Sequence, residues 1–156
     1  MMAKVDEALD AAVLRRVSDE LEIRNAVARL AHLADTATID ELDQYVALFT
    51  EDGTWAVLGG GLLPAQERRG RGEIIIAARD RRLAGIQGPG TSSRHIISTI
   101  AVVFDSPDRA QVRSYLQVFR DTMTDHPTPA GVGEYHDTFT RTPEGWKIQR
   151  REVISG

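Results

Sequence analysis

The chain contains no cysteine, which excludes a disulfide framework, a thiolate nucleophile and a zinc-thiolate site at once. It also lacks any run of about 18 consecutive apolar residues, the length that a membrane-spanning helix requires, so no membrane partner is expected. No excess of positive charge is present either. The 19 basic and 23 acidic residues are mixed along the chain and leave a formal charge of −4, which argues against a surface dedicated to nucleic acid. No internal repeat with a period of about 20 to 50 residues recurs, and no low-complexity linker divides the chain. The opening M-M-A-K-V-D-E-A-L-D is charged throughout and lacks the apolar run of a signal peptide, from which a cytoplasmic address is expected.

What is present is ordinary globular usage over 156 residues, 42% hydrophobic and 27% charged, enough for one core. The pattern changes near residue 50, with helices before it and strands after. In E-I-R-N-A-V-A-R-L-A-H-L-A-D, residues Ile23, Val27, Leu30 and Ala34 form one stripe of an amphipathic helix. Val13, Val17 and Leu21 extend the stripe backward, so residues 6–35 should be one long helix or two in series. Thr38 and Glu41 in T-I-D-E make a capping box, and Ile39, Leu42, Val46 and Phe49 should line a second helix. T-W-A-V-L reads as a short strand, and the glycine-rich segment 59–72 has room for another. Its Gly59–Gly61 run lacks the Lys-Ser/Thr of a phosphate loop and reads as a turn or bulge. A third helix is expected over G-E-I-I-I-A-A-R-D-R-R-L, although Ile74–Ile76 also suit a strand. Strands follow over 93–104, 109–123, 132–142 and 145–154, separated by turn-forming stretches. This order predicts an α+β fold with helices packed on one face of a curved, mostly antiparallel sheet.

Two residues stand out chemically. At about 100° per residue from Ile23, Asp35 falls at about 120°, bordering the apolar stripe, while His32 points away at about 180°. No cation adjoins Asp35 in A-D-T-A-T, so its carboxylate either binds neighbouring amides or takes a partner from elsewhere in the fold. His95, in S-S-R-H-I-I-S, is the candidate partner. Strict alternation puts it on one strand face with Ile97, Thr99, Ala101 and Val103, and puts Ile96, Ile100, Val102 and Phe104 on the other. A histidine oriented by an aspartate supports proton abstraction without a metal or cofactor, whereas a strand histidine bonded to backbone is the structural alternative.

Other sites are weaker. Arg79, Arg81 and Arg82, with E-R-R-G-R-G, make a candidate anion site, but the interleaved Glu67, Glu73 and Asp80 make a solvated face the simpler reading. His126, in D-H-P-T-P-A-G, sits on a loop that could cover a pocket, with an exposed hairpin tip the simpler reading. His136 and Asp137 must face opposite sides of their strand. No pair of residues has metal-ligand spacing, so no metal is expected. Trp55 and Trp146 read as core aromatics.

Taken in order, E-I-R-N-A-V-A-R-L-A-H-L-A-D, A-L-F-T-E-D-G-T-W, S-S-R-H-I-I-S and G-W-K-I-Q-R-R resemble the SnoaL-like branch of the nuclear-transport-factor-2-like superfamily over roughly residues 18–154. The resemblance implies a helical extension over 1–17 and a single domain over 18–156, folded as a cone-shaped α+β barrel with a pocket between sheet and helices. That superfamily includes dehydratases, dehydrohalogenases, isomerases, polyketide cyclases, dioxygenase small subunits and non-catalytic binding modules. Scytalone dehydratase and hexachlorocyclohexane dehydrochlorinase use an aspartate ending the first helix and a histidine on the strand after the third. The matching residues here are Asp35 and His95. Arg151 matches an arginine near the dehydrochlorinase pocket. Tyr115 is the nearest polar ring to the place of a second dehydratase histidine. With Asp137, Arg151 and Tyr115 are the expected substrate contacts. The resemblance thus implies a cofactor-free lyase or isomerase acting on a small hydrophobic ring compound, or else a binding module of the same fold. The apolar outer strand face predicts a homo-oligomer, dimer or trimer.

Overall fold

A computed structural model of the chain describes residues 2–59 and 64–155, the first five of these by backbone alone. Helix α1 spans Met2–Thr36 without interruption, so the two helices in series that the sequence allowed are one. Its stripe is buried only from Ile23 onward, where Ile23, Val27, Leu30 and Ala34 enter the core at 0–6% exposure. Full burial of the three larger of these, Ile23, Val27 and Leu30, stabilises by about 1.5–3 kcal/mol each. The earlier continuation, Val13, Val17 and Leu21, is more than half exposed.

The capping box forms as expected: the Glu41 carboxylate accepts hydrogen bonds from the Thr38 backbone N–H at 2.9 Å and from its hydroxyl at 3.0 Å. These bonds hold the Glu41 pKa below its ordinary value. The helical segment that follows is short, a 3-10 turn at Ile39–Glu41 and α2 at Leu42–Val46. Phe49, expected at its end, instead begins strand β1, Phe49–Val57. Strand β2, Gln66–Arg69, and helix α3, Gly70–Leu83, follow, so Ile74–Ile76 are helical. The turn expected at Gly59–Gly61 falls mostly outside the described residues, since only Gly59 is among them.

Four long strands complete the chain: β3 at Arg94–Ser106, β4 at Arg109–Arg120, β5 at Thr128–Thr142 and β6 at Gly145–Ser155. They form the expected antiparallel meander, and β1 joins β6 in parallel, giving the order β2-β1-β6-β5-β4-β3. The result is three helices packed on a curved sheet that does not close, with β2 and β3 at its edges. The core lies between α1, α2, α3 and the concave face, built around Phe49, Phe139, Ile148 and Val112.

One departure changes which residues face the core. In β3 the pairing register shifts between Ser98 and Ala101, and Thr99 takes a left-handed φ of 52°. This bulge inserts a residue and reverses the alternation beyond it. His95 and Ile97 face inward before the bulge, but after it Ile100, Val102 and Phe104 pack against the core, while Ala101 and Val103 turn outward. The expected face-sharing of His95 with Thr99, Ala101 and Val103 therefore fails, and of the four expected outer-face residues only Ile96 faces solvent. Arg24 of α1 donates to the Ile100 carbonyl at 3.0 Å, which satisfies the acceptor that the bulge leaves unpaired.

Candidate functional site

Asp35 sits in the last turn of α1, and the inner face of β3 begins at His95. Arg82 of α3 fixes that turn. Its guanidinium donates to the carbonyls of Leu33, Ala34 and Ala37 at 2.9, 3.2 and 2.7 Å, and to Ala78 at 3.1 Å. The last carbonyls of a helix lack intrahelical donors and carry partial negative charge, so a cation there caps the helix. Burial lowers the Arg82 pKa, with the Asp35 carboxylate among the groups that favour its charge. Arg82 thus has a structural task that the reading of a solvated arginine face did not foresee. The neighbouring arginines are also engaged: Arg71 donates to the Phe49 carbonyl at 2.6 Å and Arg69 pairs with Glu67 at 2.6 Å.

The Asp35 carboxylate uses both oxygens on one residue. Oδ2 accepts the His95 backbone N–H at 2.9 Å and Oδ1 meets His95 Nδ1 at 2.6 Å. Asp35 is 7% exposed and the His95 side chain 14%. A carboxylate that bonds Nδ1 selects the tautomer with the proton there and leaves a lone pair on Nε2. That nitrogen meets the Gln87 side-chain nitrogen at 3.4 Å, and Gln87 Oε1 accepts from Arg81 Nε at 2.9 Å.

His95 Nε2 belongs to a cavity of about 110 Å³ between the helices and the sheet. Its walls are mainly apolar, with Leu30, Ala34, Leu116, Val118 and Val153, and Trp55 closes one side. The polar residues lining it include His95, Gln87, Arg81, Tyr45, Tyr135 and Arg151, with Ser93 and Arg120 beside them. The Arg81 guanidinium lies 5.1 Å from the centre of the Trp55 ring. Burial raises the Tyr135 pKa, against the opposing pull of Arg151, so the phenol stays protonated.

The other expected site residues divide. Arg151 lines the cavity at 3% exposure, held by Asp137 through two bonds of 2.7 and 2.6 Å and stacked 3.9 Å over the Tyr135 ring. Burial alone would weaken the Arg151 charge, but the Asp137 carboxylate outweighs it and raises the pKa above the ordinary arginine value. Asp137 is fully enclosed behind Arg151 and does not line the cavity. Tyr115 is misplaced by the sequence reading: it is 50% exposed on the outer face of β4, between the inward residues Ser114 and Leu116. His136 faces outward and bonds Glu134 at 2.8 Å. His126 is exposed in its turn. Among the described residues no cluster of three or more His, Asp or Glu could hold a metal ion.

Tyr45, Tyr135 and Gln87 were missed from sequence, and Arg81 was weighed only as part of an anion site set aside for a solvated face. Tyr135 carried a usable signal, lying two residues before Asp137 on the inward face of β5. The contact between Arg81 and Gln87 had none, because it depends on the path of the loop between α3 and β3.

Comparison with known proteins agrees with this architecture. A crystal structure of an NTF2-like protein with a cystatin-like fold from Novosphingobium aromaticivorans is 30% identical, with a TM-score of 0.74, covering 93% of this chain and 86% of that one. A candidate scytalone dehydratase from the same organism has 23% identity and a TM-score of 0.67, covering 92% of this chain and 88% of its own. A Catenulispora acidiphila protein in complex with S-DNPA has 19% identity and a TM-score of 0.69, covering 89% and 94%. At these last two identities the likeness is one of fold. No curated protein matches the sequence. The SnoaL-like domain model matches residues 15–152, a span that holds every cavity residue named above except Val153, and the chain belongs to the SnoaL-like family.

Proposed function

We propose that this protein is a cofactor-free lyase or isomerase that takes a proton from a hydrophobic ring substrate, with His95 as general base and Asp35 as its orienting partner. One observation carries the reading: the 2.6 Å bond of Asp35 to Nδ1 leaves the Nε2 lone pair of the cavity-lining His95 with only the long 3.4 Å contact to the Gln87 side-chain nitrogen. A neutral imidazole accepts a proton there, and the buried carboxylate stabilises the imidazolium that forms. A leaving group on the next carbon then gives elimination, reprotonation elsewhere gives isomerisation, and an internal carbonyl gives ring closure. In this reading Arg151 forms part of the substrate wall and Asp137 acts by holding it. Tyr115 has no place in the site.

The working domain is 18–156, with 1–17 a helical extension, a division supported by Asp19 being the first buried side chain of α1 among the described residues. The protein is a cytoplasmic homo-oligomer, dimer or trimer. Support for assembly comes from the exposed apolar residues on the outer sheet face, Ile96, Val103 and Val132.

The test is incubation in D₂O with a panel of aromatic and alicyclic ketones, some bearing a β-leaving group, followed by proton NMR. Deuterium incorporation or elimination product with the wild-type chain, absent with His95→Gln, is the expected result. Ligands that bind without any turnover would make the protein a binding module instead.

A further inference from the structure

The cavity holds a hydrogen-bonded chain that the dyad does not require. Arg81 is donor-only, so the Gln87 carboxamide must turn its oxygen to Arg81 Nε, at 2.9 Å, and its N–H₂ to His95 Nε2, at 3.4 Å. The amide orientation is therefore set by its neighbours, and it fixes from the cavity side the same His95 tautomer that Asp35 fixes from behind. Arg81 has no carboxylate partner among the described residues: its ties are Gln87 and the face of Trp55. A cavity-lining guanidinium whose only hydrogen-bonded side chain is a neutral amide regains full donor capacity when that amide leaves.

The geometry points to the substrate class. We propose that the Gln87 carboxamide holds the place of an enolisable carbonyl group, H–Cα–C=O, and that Arg81 is the group that stabilises the enolate oxygen. The amide unit N–C=O has the atom count and planarity of Cα–C=O. Its N–H lies against the base, where the α C–H must lie, and its oxygen lies against a cation, where the negative charge of an enolate develops. The proposal rests on His95 acting as the base.

Substrate entry displaces the amide by rotation about its own side-chain bonds. The long 3.4 Å contact to His95 makes that exchange easy. Gln87 belongs to the loop over 84–93, whose backbone is tied by Ile86 N–H to the Arg81 carbonyl at 2.9 Å and by Thr122 N–H to the Ser92 carbonyl at 3.1 Å. Gly88 follows at a φ of 100°, and a Cβ there would lie 2.8 Å from Cγ of Arg82. The loop thus packs closely against the arginine that caps α1, while the Gln87 side chain is part-buried and held by side-chain contacts alone.

The chemical step balances without an added reactant. His95 Nε2 takes the α-proton, the C–H electron pair becomes the enolate C=C bond, and the carbonyl π pair moves to the oxygen beside Arg81. The enolate then either expels a leaving group from the β-carbon, which takes the proton from the imidazolium, or regains a proton at another carbon. A preorganised cation at a developing oxyanion in a water-poor site contributes on the order of 10²-fold or more to the rate.

Binding distinguishes this proposal from the dyad itself. The probes are 2-naphthol, whose C–C–O unit matches the enol of 2-tetralone, and naphthalene, which lacks the oxygen, titrated by fluorescence. Wild type should bind 2-naphthol at least tenfold more tightly than naphthalene. Arg81→Met, which keeps the stem over Trp55, should abolish that preference, and Arg81→Lys should restore part of it. Gln87→Ala should tighten 2-naphthol binding severalfold, because no amide has to be displaced. Thermal melts establish that each variant is folded. Equal binding of the two probes by wild type, a preference that survives Arg81→Met, or no gain in Gln87→Ala would each overturn the proposal. α-Deuterium exchange of 2-tetralone reads the dyad separately: exchange lost in His95→Gln but unchanged in Arg81→Met keeps the base and removes the oxyanion role.

Discussion

Asp137 and Arg151 place two full charges where their side chains are 0% and 4% exposed. Such a pair holds because each partner neutralises the other and the fork of the guanidinium fits the carboxylate. Asp137→Asn leaves the buried guanidinium without a counter-charge and should cost about 3–5 kcal/mol. Replacing both partners, as Asp137→Leu with Arg151→Met, should recover most of that loss, because neither charge then has to be desolvated. Chemical denaturation of the two variants checks this. A single variant as stable as wild type would mean that water reaches the pair. At the same scale, Arg82 works through the backbone: it caps the turn that carries Asp35, and so places the carboxylate rather than contacting the histidine.

Among the elements, α1 is fastened to the β5–β6 hairpin by Asp19, which accepts from Arg141 at 2.6 Å and from the Trp146 indole N–H at 3.1 Å. Burial pushes the Asp19 pKa up, but the hydrogen bonds from Arg141 and Trp146 outweigh it and leave it below the ordinary 3.8. A folded-state pKa below the unfolded one stabilises above the unfolded value, and the contribution disappears as pH falls through the folded value. Asp19→Asn should therefore melt below wild type at pH 7, with the gap closing below about pH 4. A gap that stays constant down to pH 2 would contradict the assignment. The same elements show what the sequence could and could not reveal. Local alternation and turn chemistry made the four C-terminal strands legible, and the helical angle of Asp35 marked it as a buried-edge carboxylate. Phe49 was misassigned because helical spacing continues by chance into β1. The bulge at Thr99 was invisible because a one-residue insertion leaves no mark in a pattern of mixed apolar and small residues. Its consequence was the inversion of Ile100, Val102 and Phe104. The Asp35–His95 contact was legible mainly through the order of motifs, whereas the Arg81–Gln87 pair exists only once the α3–β3 loop is folded.

At the scale of the whole molecule, the fold brings together groups 60 residues apart, Asp35 on a helix and His95 on an edge strand, and surrounds them with apolar wall. The same fold leaves apolar surface on its outside. Leu9, Val13, Leu14, Val17 and Leu21 of α1 are each more than half exposed, as are Val103 and Val132 on the sheet. Covering such surface with a second copy lowers its cost in water, and light scattering at micromolar concentration should report a dimer or trimer; a monomer would contradict this. The central claim concerns the dyad, and the most direct measurement is a kinetic double-mutant cycle over wild type, His95→Gln, Asp35→Asn and the double variant, run with a turned-over ketone and paired with thermal melts. The account predicts folded proteins, a loss of about 10²-fold or more for His95→Gln, a substantial loss for Asp35→Asn, and a double variant little worse than His95→Gln alone, because groups acting as one unit fail together. Lowered melting temperatures with turnover per folded molecule nearly unchanged would show that His95 and Asp35 only hold the fold together.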